Sequence, residues 1–169
     1  MALVVEDGTA KADADSYVSL ADAATYATDY GLSFSGTDSE KEIALRRATQ
    51  YVDAMFGERF KGYRVQSTQS LEWPRSGADD GDHAIDSNLV PQKVKDAVVE
   101  LAVKARSETL APDVAQPGEL TEDTTKIGSL TFTKKWADTA GAGDLKQYTL
   151  VEGLLRQFLR LHGEIELGL

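Results

Sequence analysis

The chain has 169 residues, and 28 Asp and Glu outweigh 18 Lys and Arg to give a formal charge of −10. That length suits one domain rather than two full cores, and 41% hydrophobic with 27% charged residues excludes wholesale disorder or a fibrous rod. An acidic surplus of this size also excludes a general attraction to DNA phosphates, because non-specific affinity comes from clustered positive charge that releases counterions. The absence of cysteine rules out disulfides, thiolate metal sites and cysteine nucleophiles, and fits a reducing compartment. The start lacks a basic leader and turns acidic by Glu6 and Asp7, and no apolar run is long enough to span a bilayer, so a soluble, unexported chain with no membrane partner is expected.

Ser19 with Asp22 three residues on reads as a helix start, and the spacing predicts a short helix over 20–30 that stops at Gly31. Ser39 with Glu42 repeats the signal. Ala44, Ala48, Tyr51 and Met55, joined by Leu45, Val52 and Phe56, form a stripe that predicts a second helix over about 39–56. From Glu58 to Pro74 the helical period is lost, aromatics accumulate, and irregular or short extended structure is expected, with Pro74 holding Trp73 extended. Residues 75–90 form a long polar loop rich in aspartate. Pro91 opens a third helix at its first turn, with Val94, Ala97, Val98, Leu101, Ala102 and Ala105 on one face.

Residues 110–123 are linker-like, and Thr124 to Trp136 reads as a β-hairpin or small extended arm. After a small-residue loop, Leu145, Tyr148, Val151, Leu154, Leu155, Phe158 and Leu159 give an apolar final helix. The expected fold class is mainly α: a small four-helix bundle with a short β-hairpin or extended arm and long loops. It divides into a helical core with an N-terminal extension and the 75–90 loop (1–109), a linker and hairpin arm (110–143), and a C-terminal helix and tail (144–169), within one domain overall.

Chemistry is sparse. His83 and His162 are the only histidines, and no Walker A, GxGxxG or HExxH pattern occurs, so no catalytic residue, cofactor or enzymatic role is assigned. Asp79, Asp80, Asp82 and Asp86 could offer oxygens to a hard cation, but the spacing breaks the EF-hand pattern, and a solvated acidic turn is preferred to a metal site. An enzyme built on this loop would instead be stabilised by calcium or magnesium. Arg46, Arg47, Arg59, Lys61 and Arg64 alternate with Tyr51, Phe60, Tyr63 and Trp73, the composition of a single-strand groove with stacking platforms. Packing and ion pairing within the chain explain the same residues, with Asp53 and Glu58 lying among them.

Several ordered segments carry a resemblance: Ala2-Leu-Val-Val-Glu-Asp-Gly8, Ser16 to Ala21, Ala44-Leu-Arg-Arg-Ala-Thr49 with Tyr51 to Asp53, Phe60-Lys-Gly-Tyr-Arg64, Leu71-Glu-Trp-Pro-Arg-Ser-Gly77, and Val90 to Ala97. Together they resemble tailed-phage proteins labelled DnaT-like and single-strand DNA-binding, which are in turn similar to head-tail connector (adaptor, head-completion) proteins. The match is close over residues 2–105 and looser beyond. The connector resemblance implies a structural virion protein at the head-tail junction, made in the host cytoplasm. It would form a ring, typically dodecameric, with a portal protein on one side and a tail-side completion or terminator protein on the other. Double-stranded DNA would pass through the lumen without tight binding, which agrees with the acidic balance. The alternative is a replication-associated DnaT-like single-stranded-DNA-binding protein.

Within that resemblance, Arg46, Arg47, Trp73, Arg75, Phe132, Phe158, Leu159, Ile165 and Leu167 are candidate contacts to neighbouring subunits or partners. For Trp73 and Arg75 a turn anchored on the subunit's own core is an equal reading. Arg46 and Arg47 could pair with acids of a neighbour or with Glu40 and Asp53 of their own chain. Arg59, Lys61 and Arg64 are the candidate DNA-facing residues of the alternative.

Overall fold

The computed structural model describes residues 2–110, 120–127, 130–137 and 148–160, and the chain divides into two compact units, 1–110 with 148–169 and 111–147. In the first unit the helices are α1 (Leu20–Asp29), α2 (Asp38–Phe56), α3 (Gln92–Ala105) and α4 (Thr149–Leu155). Two-residue strands β1 (Tyr63–Arg64) and β2 (Arg75–Ser76) pair antiparallel between α2 and α3. The second unit holds a hairpin of β3 (Leu120–Ile127) and β4 (Leu130–Ala137), in register from Leu120 opposite Ala137 to Ile127 opposite Leu130. The described chain is mainly α with a short β-hairpin, as the patterning predicts.

The local signals explain most boundaries. Ser19 caps α1 by accepting from the Asp22 backbone N–H, and the helix ends one residue before Tyr30, with Gly31 in the left-handed region. The start of α2 differs from expectation: Thr37 and Glu40, not Ser39 and Glu42, form the reciprocal capping box. Both pairs fit the pattern, but Thr37 is the residue with extended backbone, so its hydroxyl faces the first unpaired N–H groups. Pro91 is the cap of α3 rather than its first-turn residue. The hairpin β3–β4 begins four residues before the predicted Thr124, and the part of the predicted last helix before Tyr148 lies outside the described residues.

α2 packs on α3, α3 on α4, and α1 on both α2 and α3. Between them Leu45, Val52, Val94, Val98, Leu101, Val151 and Leu155 are sealed from solvent. Burying one such side chain contributes about 1.5–3 kcal/mol, which fixes the helices against one another. The segment before α1 is tied down by the carboxylate of Glu6, which is buried and accepts N–H bonds from Gly8, Ala10 and Lys11 at 2.8–3.0 Å. The irregular stretch 57–79 folds back over α2, and Ser70 donates its hydroxyl proton to the Ala14 carbonyl at 2.6 Å.

Candidate basic and aromatic face

Phe60 and Leu159 form an antiparallel bridge that joins the start of the irregular stretch to the end of the chain's last described turn. Lys61 N–H donates to Phe158 C=O at 2.9 Å, and Arg160 N–H donates to Arg59 C=O at 2.8 Å. This pairing sets Arg160 beside the segment that carries Arg59, Lys61, Tyr63 and Arg64. The Arg160 guanidinium lies 6.0 Å from the centroid of the Tyr63 ring, and its Nη2 donates to Gly62 C=O at 3.4 Å. Tyr63 is 63% exposed, and Arg59 and Arg64 are exposed as well. The result is an exposed aromatic ring with the Arg160 guanidinium beside it, on a stretch that also carries the exposed Arg59 and Arg64.

The turn that presents this face is built by backbone constraints. Gly62 has φ +70°, and a Cβ there would sit 2.3 Å from the Ser76 carbonyl oxygen, so only glycine fits. Arg75 is 6% exposed and serves as the staple beneath: it donates to the carbonyls of Lys61 (2.9 Å), Gly62 (2.8 Å), Glu72 (3.3 Å) and Phe60 (3.4 Å), and to Glu72 Oε2 at 2.7 Å. Below it Trp73 is wholly buried, its ring edge-on to Phe60 and Phe158 with centroids 5.5 and 5.8 Å away. The Trp73–Pro74 peptide is cis.

The residues named as partner contacts take the following places in the chain. Trp73, Arg75, Phe158 and Leu159 are buried within their own chain, the aromatic rings packed in one core and the guanidinium bonded to the buried carbonyls of Phe60 and Gly62. Arg46 pairs with Asp15 (2.6 Å) and Glu42 (3.7 Å), not with Glu40 or Asp53. Glu40 instead meets Arg106 at 3.4 Å, and Arg47 is exposed. Phe132 is on β4 opposite Thr125, and Ile165 and Leu167 lie outside the described residues. The candidates of the DNA-binding alternative sit within residues 59–64 and differ in how they are held. Lys61 is held by Asp79 at 2.6 Å, and that ammonium keeps the Asp79 carboxyl below its ordinary range, whereas Arg64 bonds only the Gln69 carbonyl at 3.3 Å among the described residues.

Arg160 is the member that sequence reasoning missed. It follows an apolar stripe that spacing assigns to the core, and no local pattern says that its strand partner lies a hundred residues earlier. Among the described residues no cluster of three or more His, Asp or Glu could hold a metal ion, and no helix is long and apolar enough to cross a membrane.

Asp53, half-buried on α2, is a second polar group held by partners within the chain. Asp53 Oδ1 accepts from the Tyr17 hydroxyl at 2.6 Å, Oδ2 accepts from Glu72 N–H at 3.1 Å, and the Tyr17 oxygen accepts from Trp73 N–H at 3.0 Å. Desolvation dominates at this carboxyl and pushes its pKa up to about 7, against the two hydrogen bonds that favour the ionised form.

A family model described as "Putative DnaT-like ssDNA binding protein" matches residues 1–167. No curated protein and no solved structure matches the chain.

Proposed function

The chain belongs to the DnaT-like ssDNA-binding family, and from that premise we propose that it binds single-stranded nucleic acid through the face formed by Arg59, Tyr63, Arg64 and Arg160. The observation that carries this reading is the exposed Tyr63 ring with Arg160 set 6.0 Å from its centroid. A base stacks on such a ring whatever its identity, with about 1–3 kcal/mol at stake per base, while the guanidiniums meet the flanking phosphates. Three guanidiniums against a molecular charge of −10 make the contact short and salt-labile. With three phosphates neutralised, the slope of log K against log salt is about −2, so affinity falls roughly 15- to 20-fold between about 50 and 200 mM salt. Anisotropy of a labelled oligothymidylate at the two salt levels tests this, with Tyr63→Ala and Arg64→Glu as controls. Binding that is absent at low salt, or indifferent to both substitutions, refutes it.

A second reading has its own support in the diversion of cations to partners inside the chain, Lys61 to Asp79, Arg46 to Asp15 and Arg75 to Glu72, on a strongly acidic molecule. Such a surface suits a structural head-tail connector, a ring at the virion junction between portal and tail that surrounds double-stranded DNA without gripping it. Sedimentation of the purified chain alone and with portal rings tests it. Co-sedimentation together with no oligothymidylate binding selects the connector, and a monomer indifferent to portal removes it.

A further inference from the structure

Among the described residues, Lys61 is the cation of the 59–64 stretch that is held by a carboxylate, with its Nζ 2.6 Å from Asp79 Oδ1. The backbone of Lys61 is fixed on both sides: its N–H donates to Phe158 C=O at 2.9 Å, and its C=O accepts from Arg75 Nε at 2.9 Å. Asp79 comes from a turn with its own bonds. Asp79 and Ala84 form an antiparallel bridge, Asp80 N–H donates to His83 C=O at 3.1 Å, and Gly81 N–H donates to Asp79 Oδ1 at 2.8 Å. Gly62 lets the two segments meet, since a Cβ there would stand 2.3 Å from Ser76 O and 2.7 Å from Ala78 N. Gly62 and Ala78 are the chain neighbours of Lys61 and Asp79, so the same close approach sets ammonium against carboxylate.

This pair differs from the one beneath it in exposure. The Arg75 side chain is 7% exposed in its pair with Glu72, whereas those of Lys61 and Asp79 are 22% and 47% exposed. Dissolved ions reach such a pair, and it contributes little to folding. Its geometry is an ammonium against one anionic oxygen at short range, which is also the contact that a lysine makes with a phosphate oxygen. Asp80 is occupied differently, accepting from the backbone N–H groups of Asp82 and His83 within the turn.

Resting on the single-strand reading above, we propose that Lys61 is a fourth phosphate contact and that Asp79 occupies it as an internal competitor. A carboxylate and a backbone phosphate each carry one negative charge, so they compete for the ammonium on like terms. The carboxylate has the advantage of being on the same chain, already in place, at a high effective concentration. Lys61 is therefore withheld from the strand, and the grip stays at three guanidiniums.

The test is anisotropy of labelled oligothymidylate with the full chain, at salt concentrations from about 50 to 200 mM. The chains compared are the parent, Asp79→Asn, Asp79→Asn combined with Lys61→Gln, and Asp82→Asn. Asparagine keeps the side-chain shape and an oxygen that accepts the Gly81 N–H. Asp79→Ser, whose hydroxyl also accepts in such turns, is a second unmasking variant that should agree with it. Taking one phosphate contact to contribute nothing at about 1 M salt, it multiplies affinity about 8-fold at 50 mM and about 3-fold at 200 mM. Asp79→Asn should gain these factors over the parent, and its slope of log K against log salt should steepen from about −2 to about −3. Adding Lys61→Gln should remove the gain and restore the parent slope. Asp82→Asn removes the same charge from the same turn without unmasking Lys61, and should gain less than about twofold. Where the parent binds, a gain below about twofold in both Asp79 variants, a gain matched by Asp82→Asn, or one that persists with Lys61→Gln overturns the masked contact and leaves the single-strand reading standing. Binding by neither the parent nor the Asp79 variants overturns both.

Discussion

Replacing Arg75 with methionine should destabilise the isolated subunit severely, because the guanidinium is the common donor to four backbone carbonyls, those of Phe60, Lys61, Gly62 and Glu72. Two of those bonds, to Lys61 and Gly62 at 2.9 and 2.8 Å, are short, and hydrogen bonds to a charged group contribute about 1.5–3 kcal/mol each. The substitution also strips Glu72 of its 2.7 Å partner. Methionine keeps the apolar stem and its volume, so the loss is chiefly that of donors. Counting the two short bonds and only part of the weaker ones, the expected cost is ~3–5 kcal/mol, a large share of the ~5–15 kcal/mol that holds a domain folded. Urea denaturation followed by tryptophan fluorescence measures it, since Trp73 lies in the core directly beneath. Arg75→Lys is the informative partner: it keeps the charge but presents no planar fork, and should recover less than half of the loss. A cost below about 1 kcal/mol for Arg75→Met, or a lysine variant as stable as the parent, would refute the staple. An unchanged monomer with altered oligomers would instead return Arg75 to an intersubunit role.

Two further substitutions probe the same region. Gly62→Ala forces a Cβ to within 2.3 Å of the Ser76 carbonyl at φ +70°, and should cost at least about 2 kcal/mol in urea denaturation while lowering oligonucleotide affinity with it. Normal stability would show that the β1–β2 turn can shift. Asp53 governs pH dependence between about pH 4 and 7: its carboxyl holds a proton in the folded chain at pH values where the unfolded chain has lost it, so stability falls as pH rises through this interval and levels off above it. The slope is at most ~1.4 kcal/mol per pH unit, lowered by the water that reaches this half-buried group, and Asp53→Asn should flatten it. Parallel pH profiles for variant and parent would assign the titration elsewhere. The lowered carboxyl groups of Asp79 and Glu40 contribute with the opposite sign, losing their stabilisation only as the pH falls further.

How much was legible depended on the range of the interaction. The apolar stripes of α2 and α3 mark their buried faces residue by residue, because a helix brings positions three and four apart onto one side whatever it packs against. The hairpin at 120–137 was visible from β-forming residues around a short turn. The capping box of α2 was ambiguous, since Thr37 with Glu40 and Ser39 with Glu42 satisfy the same spacing and only the backbone angle at the cap chooses between them. The candidate site was half legible. Arg59, Lys61, Tyr63 and Arg64 stood out as basic residues among aromatics, but their worth did not: Lys61 is neutralised by Asp79, which spacing gave no reason to select from four loop aspartates.

By itself, then, the order of residues determined the helical class, the positions of the main elements, the short hairpin and a net charge that forbids broad adhesion to DNA. Those properties are local or additive: periodicity, turn chemistry and charge need no knowledge of distant partners. Only the tertiary structure decided which aromatics are core and which are open, burying Phe60 and Trp73 while leaving Tyr63 outside, and which cation joins Tyr63 from the far end of the chain. It also set Asp53 against Tyr17 and Asp79 against Lys61. The physical reason is that burial and pairing are properties of where segments meet, and the bridge from Phe60 to Leu159 closes a loop of a hundred residues whose register no local signal records.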